Sequence, residues 1–254
     1  MRVGVLTLDE GGGALASALA RRLPFFVGGD CEVEELRSGR DGELSALAAR
    51  AFAECRGLVF VMAAGIVTRM VAPLLESKLS DPAVVVLDDE ARWAISLLSG
   101  HEGGANRLAY QVAAATGAEP VVTTGSETGR KVVLGIGCRK DISGQAVRSA
   151  IEAILAEAGL APRDLRHAVT ARAKEGEAGL VAALRDMDIP LLFLGAEVIN
   201  GYDGPFEPSP AASRHLGLKA VAEPCALLGA RRGSLMVPKR RISGVTVALA
   251  REDS

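Results

Sequence analysis

Short, nearly continuous apolar runs recur from one end of this chain to the other, separated by alanine- and leucine-rich stretches with helical spacing. Gly57-Leu58-Val59-Phe60-Val61-Met62, Ala83-Val84-Val85-Val86-Leu87 and Val132-Val133-Leu134-Gly135-Ile136-Gly137 are such runs. They have the length of strands, and they are apolar on both faces. A strand buried on both faces needs helices on both sides of its sheet. The alternation therefore predicts an α/β protein whose sheets are mostly parallel and flanked by helices. With 254 residues, 49% of them hydrophobic, the chain can bury two such cores. The stretch Gly125–Arg130 is polar and lacks apolar periodicity. It is read as a linker (125–130) between an amino-terminal α/β domain (1–124) and a carboxy-terminal α/β domain (131–254).

In the first domain, Arg2–Leu8 reads as a strand rather than a signal peptide, because no small-residue cleavage pattern follows it. After a turn over Asp9–Gly13, an alanine-rich helix over Ala14–Leu23 is expected to stop at Pro24. Pro73 either opens or bends the helix that follows Ala63–Arg69. Trp93–Leu98 reads as a buried strand and Arg107–Ala115 as a helix. In the second domain Ser143 is a candidate N-cap. Asn200–Pro210 reads as an exposed loop, and Ser234–Pro238 and Val245–Ala250 as the closing strands.

Several function classes are disfavoured. A net charge of −2 argues against a protein that grips nucleic acid through global positive charge. No apolar run approaches the roughly 20 residues that span a bilayer. Cys31, Cys55, Cys138 and Cys225 are scattered and form no CxxC pair, so neither a zinc site nor a disulfide framework is expected. Reduced thiols and a cytoplasmic location follow from that reading. Gly11-Gly12-Gly13 lacks the Lys-Ser/Thr pair of a phosphate loop, and no GxSxG elbow is present. The Gly135/Gly137 run has Lys140 where a dinucleotide fingerprint needs its third glycine. It is read instead as a strand-to-turn junction presenting Arg139 and Lys140.

Four places could carry chemistry. Ser99-Gly100-His101-Glu102-Gly103-Gly104-Ala105-Asn106 joins a strand to a helix through three glycines and one histidine. A helix start suits an anion, and an imidazole exchanges protons near neutral pH; the plainer alternative is a tight turn with a solvated histidine. Glu223 lies between Val221-Ala222 and Pro224-Cys225-Ala226. It is either an acid or base with a partner or the opening glutamate of a helix. Lys174 and Glu177 follow a short strand ending near Thr170. Cys138 beside Arg139 is either an activated or a structural thiol. His167 and His215 have no partner pattern and read as surface residues.

Taken together, these segments resemble the cobalt-precorrin-5A hydrolase family of anaerobic cobalamin biosynthesis. Gly65-Ile66-Val67-Thr68-Arg69, Ala72-Pro73-Leu74-Leu75, Lys78, Asp81–Val86 and Leu97–Asn106 look like that family's amino-terminal signature in order and spacing. Gly135–Arg139, Thr170, Lys174, Glu177, Pro208-Ser209-Pro210, Val221-Ala222-Glu223 and Lys239 look like its carboxy-terminal domain. The middle domain common in the family is replaced by the short linker, and Glu102 stands where an apolar residue is expected. The resemblance implies a hydrolase. Its substrate is a cobalt-bearing, ring-contracted tetrapyrrole whose δ-lactone is opened by water with release of acetaldehyde. It implies no cofactor, since cobalt belongs to the substrate, and no protein metal ligands, nucleic acid or membrane. Neighbouring pathway methyltransferases are the implied protein partners.

On this reading His101 and Glu223 are the proton-transfer candidates. Substrate-binding candidates are Gly65, Thr68, Arg69, Lys78, Ser99, Gly100, Gly103, Gly104 and Asn106 in the first half. In the second they are Gly137, Arg139, Lys140, Lys174 and Glu177. The alternative is a non-catalytic tetrapyrrole carrier, because the carboxy-terminal half alone resembles small proteins of aerobic cobalamin synthesis.

Overall fold

The computed structural model describes residues 1–8, 10–38 and 41–253. The chain divides into two units, Met1–Gly125 and Ser126–Ser254. The first contains β1 (Arg2–Thr7), α1 (Glu10–Val27), β2 (Glu32–Arg37), α2 (Asp41–Glu54), β3 (Gly57–Val61), α3 (Ala64–Val71), β4 (Ala83–Leu87), β5 (Trp93–Leu98), α4 (Ala105–Thr116) and β6 (Glu119–Val121). The strands form one sheet in the order β2-β1-β3-β4-β5-β6. As the apolar runs predict, every residue of β3 and β4 is buried. α2 and α3 cover one face, where Leu44, Ala48, Val67 and Val71 pack with Leu6, Leu58, Phe60 and Val86.

One pairing breaks the parallel pattern. β5 runs antiparallel to β4, with Leu87 opposite Ala94 and Val84 opposite Leu98. Only residues 88–92 join the two strands, whereas a parallel crossover needs roughly a dozen or more. Asp88 shapes the hairpin turn by accepting the Trp93 N–H at 2.6 Å. β5 therefore ends beside the start of β4, at the sheet edge opposite the one where β3 hands over to α3. β5 is also less buried than its sequence suggests. Trp93 is 43% exposed and only Ala94 is fully buried, since the strand's outer neighbour is the three-residue β6.

Pro24 does not stop α1, which runs on to Val27. A proline in the final turn removes a single helix N–H, and the turn is anchored by buried Leu23 and Phe26. Pro73 falls in a separate 3-10 turn, Ala72–Leu74, directly after α3. The expected turn over Asp9–Gly13 falls partly outside the described residues, and Gly12 and Gly13 already belong to α1.

A one-turn helix, α5 (Gly125–Thr128), crosses into the second unit. There follow β7 (Val132–Cys138), α6 (Gly144–Ala158), β8 (Leu165–Ala171), α7 (Ala178–Asp186), β9 (Leu191–Leu194), α8 (Ala196–Asn200), α9 (Pro210–Leu216), α10 (Ala222–Gly229), β10 (Ser234–Ile242) and β11 (Val245–Arg251). The sheet order is β10-β11-β7-β8-β9. β7, β8 and β9 are parallel, and β11 is antiparallel to both neighbours. Both units are thus α/β with mixed, mostly parallel sheets. Ser143 caps α6 as expected, its Oγ accepting from the Ala146 N–H at 3.3 Å.

The glycines of β7 are explained by α10. A Cβ on Gly135 would lie 1.8 Å from the Ala222 carbonyl oxygen and 2.6 Å from the Ala226 nitrogen. One on Gly137 would meet Val221 Cβ at 3.2 Å. The bare strand lets the helix press against it, which is a packing role. Two sequence readings are corrected here. His167 is not a surface residue; it sits 7% exposed on β8, and burial brings its imidazole pKa down to about 3. The strand expected to end at Pro238 continues to Ile242, turning into β11 through Ser243 and Gly244, both at positive φ. Among the described residues, no helix is long and apolar enough to cross a membrane, and the four cysteines are free.

Candidate functional site

β7 and β8 are parallel, so the segments that leave them emerge at the same sheet edge. A cavity of about 660 Å3 opens there, within the range of small-molecule sites. Gly137, Arg139, Lys140, Lys174, Glu177 and Glu223 all line it; the structure brings together every carboxy-terminal site residue chosen from sequence. The Lys174 ammonium, 6% exposed, lies 3.1 Å from Glu177 Oε1. Glu177 Oε2 accepts the Asp141 N–H at 2.9 Å, so one carboxylate ties the turn after β7 to the turn after β8. Thr170 adds a buried bond between the same strands, its Oγ1 donating to the Ile136 carbonyl at 2.6 Å. Arg139 and Lys140 are exposed and form no ion pair among the described residues. They are the cations free to meet an anionic ligand.

Glu223 opens α10 and is 4% exposed. Its Oε2 accepts the Glu207 N–H at 2.7 Å and its Oε1 the Lys239 N–H at 3.0 Å. The carboxylate therefore fastens the loop before α9 and the strand β10 to the first turn of α10. Lys239 completes the fastening. Its Nζ donates to the Glu207 and Pro208 carbonyls at 2.9 and 3.2 Å and lies 2.8 Å from Glu207 Oε1. The Lys239 amide is available because the β10–β11 register shifts between Val237 and Arg240, an irregularity typical of strands beside sites.

The cavity also takes in groups that sequence reasoning did not select: Glu207, Lys239, Arg241 and His215. Lys239 carried a signal only as part of the family pattern. His215 lies on α9, whose Pro210 opens a helix, although proline in a polar stretch reads as loop. Cys138 faces the cavity, but burial pushes its thiol up to about 11 despite the nearby Lys174 ammonium. That is the structural thiol rather than the activated one.

In the first unit, the Ser99–Asn106 turn is built tightly on itself. Ser99 adopts a φ of 56° and Gly104 a φ of 87°. A Cβ on Gly103 would fall 2.4 Å from Ser99 Cβ, and one on Gly100 would fall 2.8 Å from Asn106 Oδ1. Asn106 is buried and its amide is used internally. Oδ1 accepts from Ser96 Oγ at 2.8 Å, and Nδ2 donates to Thr124 Oγ1 at 2.7 Å. His101 and Glu102 are exposed at the tip. Lys78 reaches Glu102 at 3.0 Å and holds its carboxyl below the usual range. The structure thus gathers Lys78 with Ser99, Gly100, His101, Gly103, Gly104 and Asn106. It does not bring Gly65, Thr68 and Arg69 to that group. They lie on α3, which starts at the opposite sheet edge, and both polar side chains bond their own helix: Thr68 Oγ1 to the Ala64 carbonyl at 2.9 Å, Arg69 to the Gly65 carbonyl at 3.3 Å.

Among the described residues, no group of three or more His, Cys, Asp or Glu side chains could hold a metal ion. Comparison with known proteins gives a consistent result in both units. Residues 46–127 match the model described as "Cobalamin synthesis G N-terminal" and residues 132–250 the one described as "Cobalamin synthesis G C-terminus". A cobalt-precorrin-5A hydrolase of Salmonella typhimurium is 43% identical over 129 residues, 49% of this chain. The match spans 36% of that longer protein. Protein CobE of a Sinorhizobium species is 32% identical over 127 residues, covering 49% of this chain and 82% of CobE. A crystal structure of CobE, described as a protein from the cobalamin (vitamin B12) biosynthetic pathway, is 32% identical, covers 48% of this chain and 89% of its own, and has a TM-score of 0.45.

Proposed function

The chain belongs to the cobalamin synthesis G family, and from that membership we propose that it is a cobalt-precorrin-5A hydrolase. Water adds to the δ-lactone carbonyl of the cobalt tetrapyrrole, and the ring oxygen leaves as a hydroxyl. Loss of the hydroxyl proton lets its C–O bond become a carbonyl while the neighbouring C–C bond breaks. Acetaldehyde departs, and the electron pair stays on the macrocycle, which takes up a proton. The chemistry needs one group to move protons and several cations to hold a polycarboxylate. His101 and Glu223 are the proposed proton-transfer groups. Arg139 and Lys140 are the proposed carboxylate clamps of the second unit, with Gly65, Thr68, Arg69 and Lys78 proposed for the first. The remaining glycines, Ser99, Asn106, Lys174 and Glu177 shape the surfaces on which those groups stand.

One observation carries this reading: six residues chosen for a tetrapyrrole site from sequence line one cavity at the carboxyl edge of parallel strands, where open α/β sheets bind ligands. The test is incubation of the chain with the lactone-bearing cobalt tetrapyrrole and trapping of volatile aldehyde. Acetaldehyde in step with substrate loss is expected. Macrocycle binding without aldehyde would replace the hydrolase with a carrier. That second reading has its own support, since each cavity carboxylate, Glu177, Glu207 and Glu223, already holds a protein partner.

A further inference from the structure

One wall of the carboxy-terminal cavity differs from the rest. Ala211, Ala212, His215 and Leu216 of α9 line it together, at the three- and four-residue spacing that puts side chains on one helix face. The helix is fixed in place. Ser209 caps it by accepting the Ala212 N–H at 3.3 Å, and Ala212 is buried in the apolar cluster beneath α10. Ala220, Val221 and Ala222 continue the same apolar lining. Small side chains of this kind leave room for the face of a flat ring, while Arg139, Lys140 and Arg241 supply cations for carboxylates on its periphery. A single imidazole rises from the small-residue wall.

The other electron-pair donors of the cavity are committed. Glu177 holds Lys174 and the Asp141 amide, and Glu223 holds two backbone amides. Glu207 holds Lys239, and burial keeps the Cys138 thiol protonated. His215 is exposed and, among the described residues, has no hydrogen-bond partner. Neutral imidazole is a good ligand for late first-row metals.

We propose that His215 is an axial ligand to the cobalt of the tetrapyrrole held in this cavity. The inference rests on the cavity being the tetrapyrrole site and adds the atom that would fix the ring's height and orientation over α9. An imidazole nitrogen donates its lone pair to cobalt, one axial water leaves, and the metal's oxidation state does not change. A ring held this way keeps its edge toward the cations.

The experiment titrates the full chain into diaquacobyrinic acid, a cobalt corrin with peripheral carboxylates, exchangeable axial waters and no internal base, in mildly alkaline solution. Visible absorption reports the axial ligand, and ultrafiltration reports binding independently. With the wild-type chain, bound corrin and a shift of the visible bands toward those of an imidazole adduct are expected. His215→Ala should keep bound corrin but lose the shift, and free imidazole added to that variant should restore it. Bound corrin with unmoved bands, or a shift that survives His215→Ala, overturns the ligand assignment and leaves the tetrapyrrole site standing. Corrin that is retained by neither protein overturns the tetrapyrrole site itself and the ligand with it.

Discussion

The Ser99–Asn106 and Gly135–Lys140 segments both follow a strand, both are rich in glycine, and both carry cationic or titratable side chains. Their glycines answer to different constraints. In the first unit the turn folds back on itself, so Gly100 and Gly103 make room for Ser99, Asn106 and Thr124, all within a few residues of the turn or its sheet. In the second unit Gly135 makes room for a helix that arrives roughly ninety residues later in the chain. The first segment turns its amide side chain, Asn106, inward and leaves His101 at an exposed tip. The second turns Arg139 and Lys140 toward a cavity whose walls come from β7, α9, α10, β10 and β11 and the turns between them. A glycine-rich strand end is thus a statement about what must come close, and the partner may be local or remote.

Substitutions can break that comparison, and the largest effect is expected at Gly135. Gly135→Ala drives a methyl group into the backbone of α10. We expect a loss of roughly 3 kcal/mol or more in urea unfolding of the full chain, together with loss of corrin binding. A near-neutral result would mean that α10 does not sit on bare strand. Acid supplies the next effect. His167 stays neutral in the folded unit down to about pH 3, whereas the unfolded chain takes up a proton near pH 6.5. Its contribution is therefore complete above pH 6.5 and is lost as pH falls toward 3, on the order of a few kcal/mol. Urea midpoints measured from neutral pH to about pH 4 should fall less in His167→Leu than in wild type.

Asn106→Ala probes the inward-facing amide of the first unit. It leaves Ser96 and Thr124 without their partner, and a loss of roughly 1–3 kcal/mol in stability is expected. If stability held and only substrate turnover fell, Asn106 would belong to the ligand rather than to the turn. The smallest effect is expected at the exposed tip. Lys78→Ala breaks a surface ion pair with Glu102 and should change stability by less than about 1 kcal/mol. A large drop in acetaldehyde release from that variant, with stability unchanged, would assign Lys78 to the substrate.

Much of the scaffold was legible because burial on two faces leaves a plain mark. β3, β4 and β7 are almost wholly apolar, and Ser143 sits where a cap must. The direction of β5 was written less plainly. Its apolar run says strand, but only the five residues between Leu87 and Trp93 say hairpin, and that reversal separates Gly65–Arg69 from the Ser99 turn. The site was legible in part for a similar reason. Arg139, Lys140, Lys174 and Glu177 lie near glycines and strand ends that mark a sheet edge. Lys239 and Glu207 stand in ordinary polar stretches, and only the fold brings them to each other and to Glu223. His215 was hidden because a seven-residue helix opened by proline has too few turns to show periodicity.

β10 forms the outer margin of the five-stranded sheet, and its register slips twice around Val237. The same slip that releases the Lys239 amide toward Glu223 spoils the even row of donors and acceptors along that margin. Pro238 removes one donor outright, and Lys239-Arg240-Arg241 adds charge. A strand from another molecule would find no regular ladder to extend. Straightening this irregularity, for example by deleting a residue between Val237 and Arg240, would expose the protein to edge-to-edge aggregation even if the cavity survived.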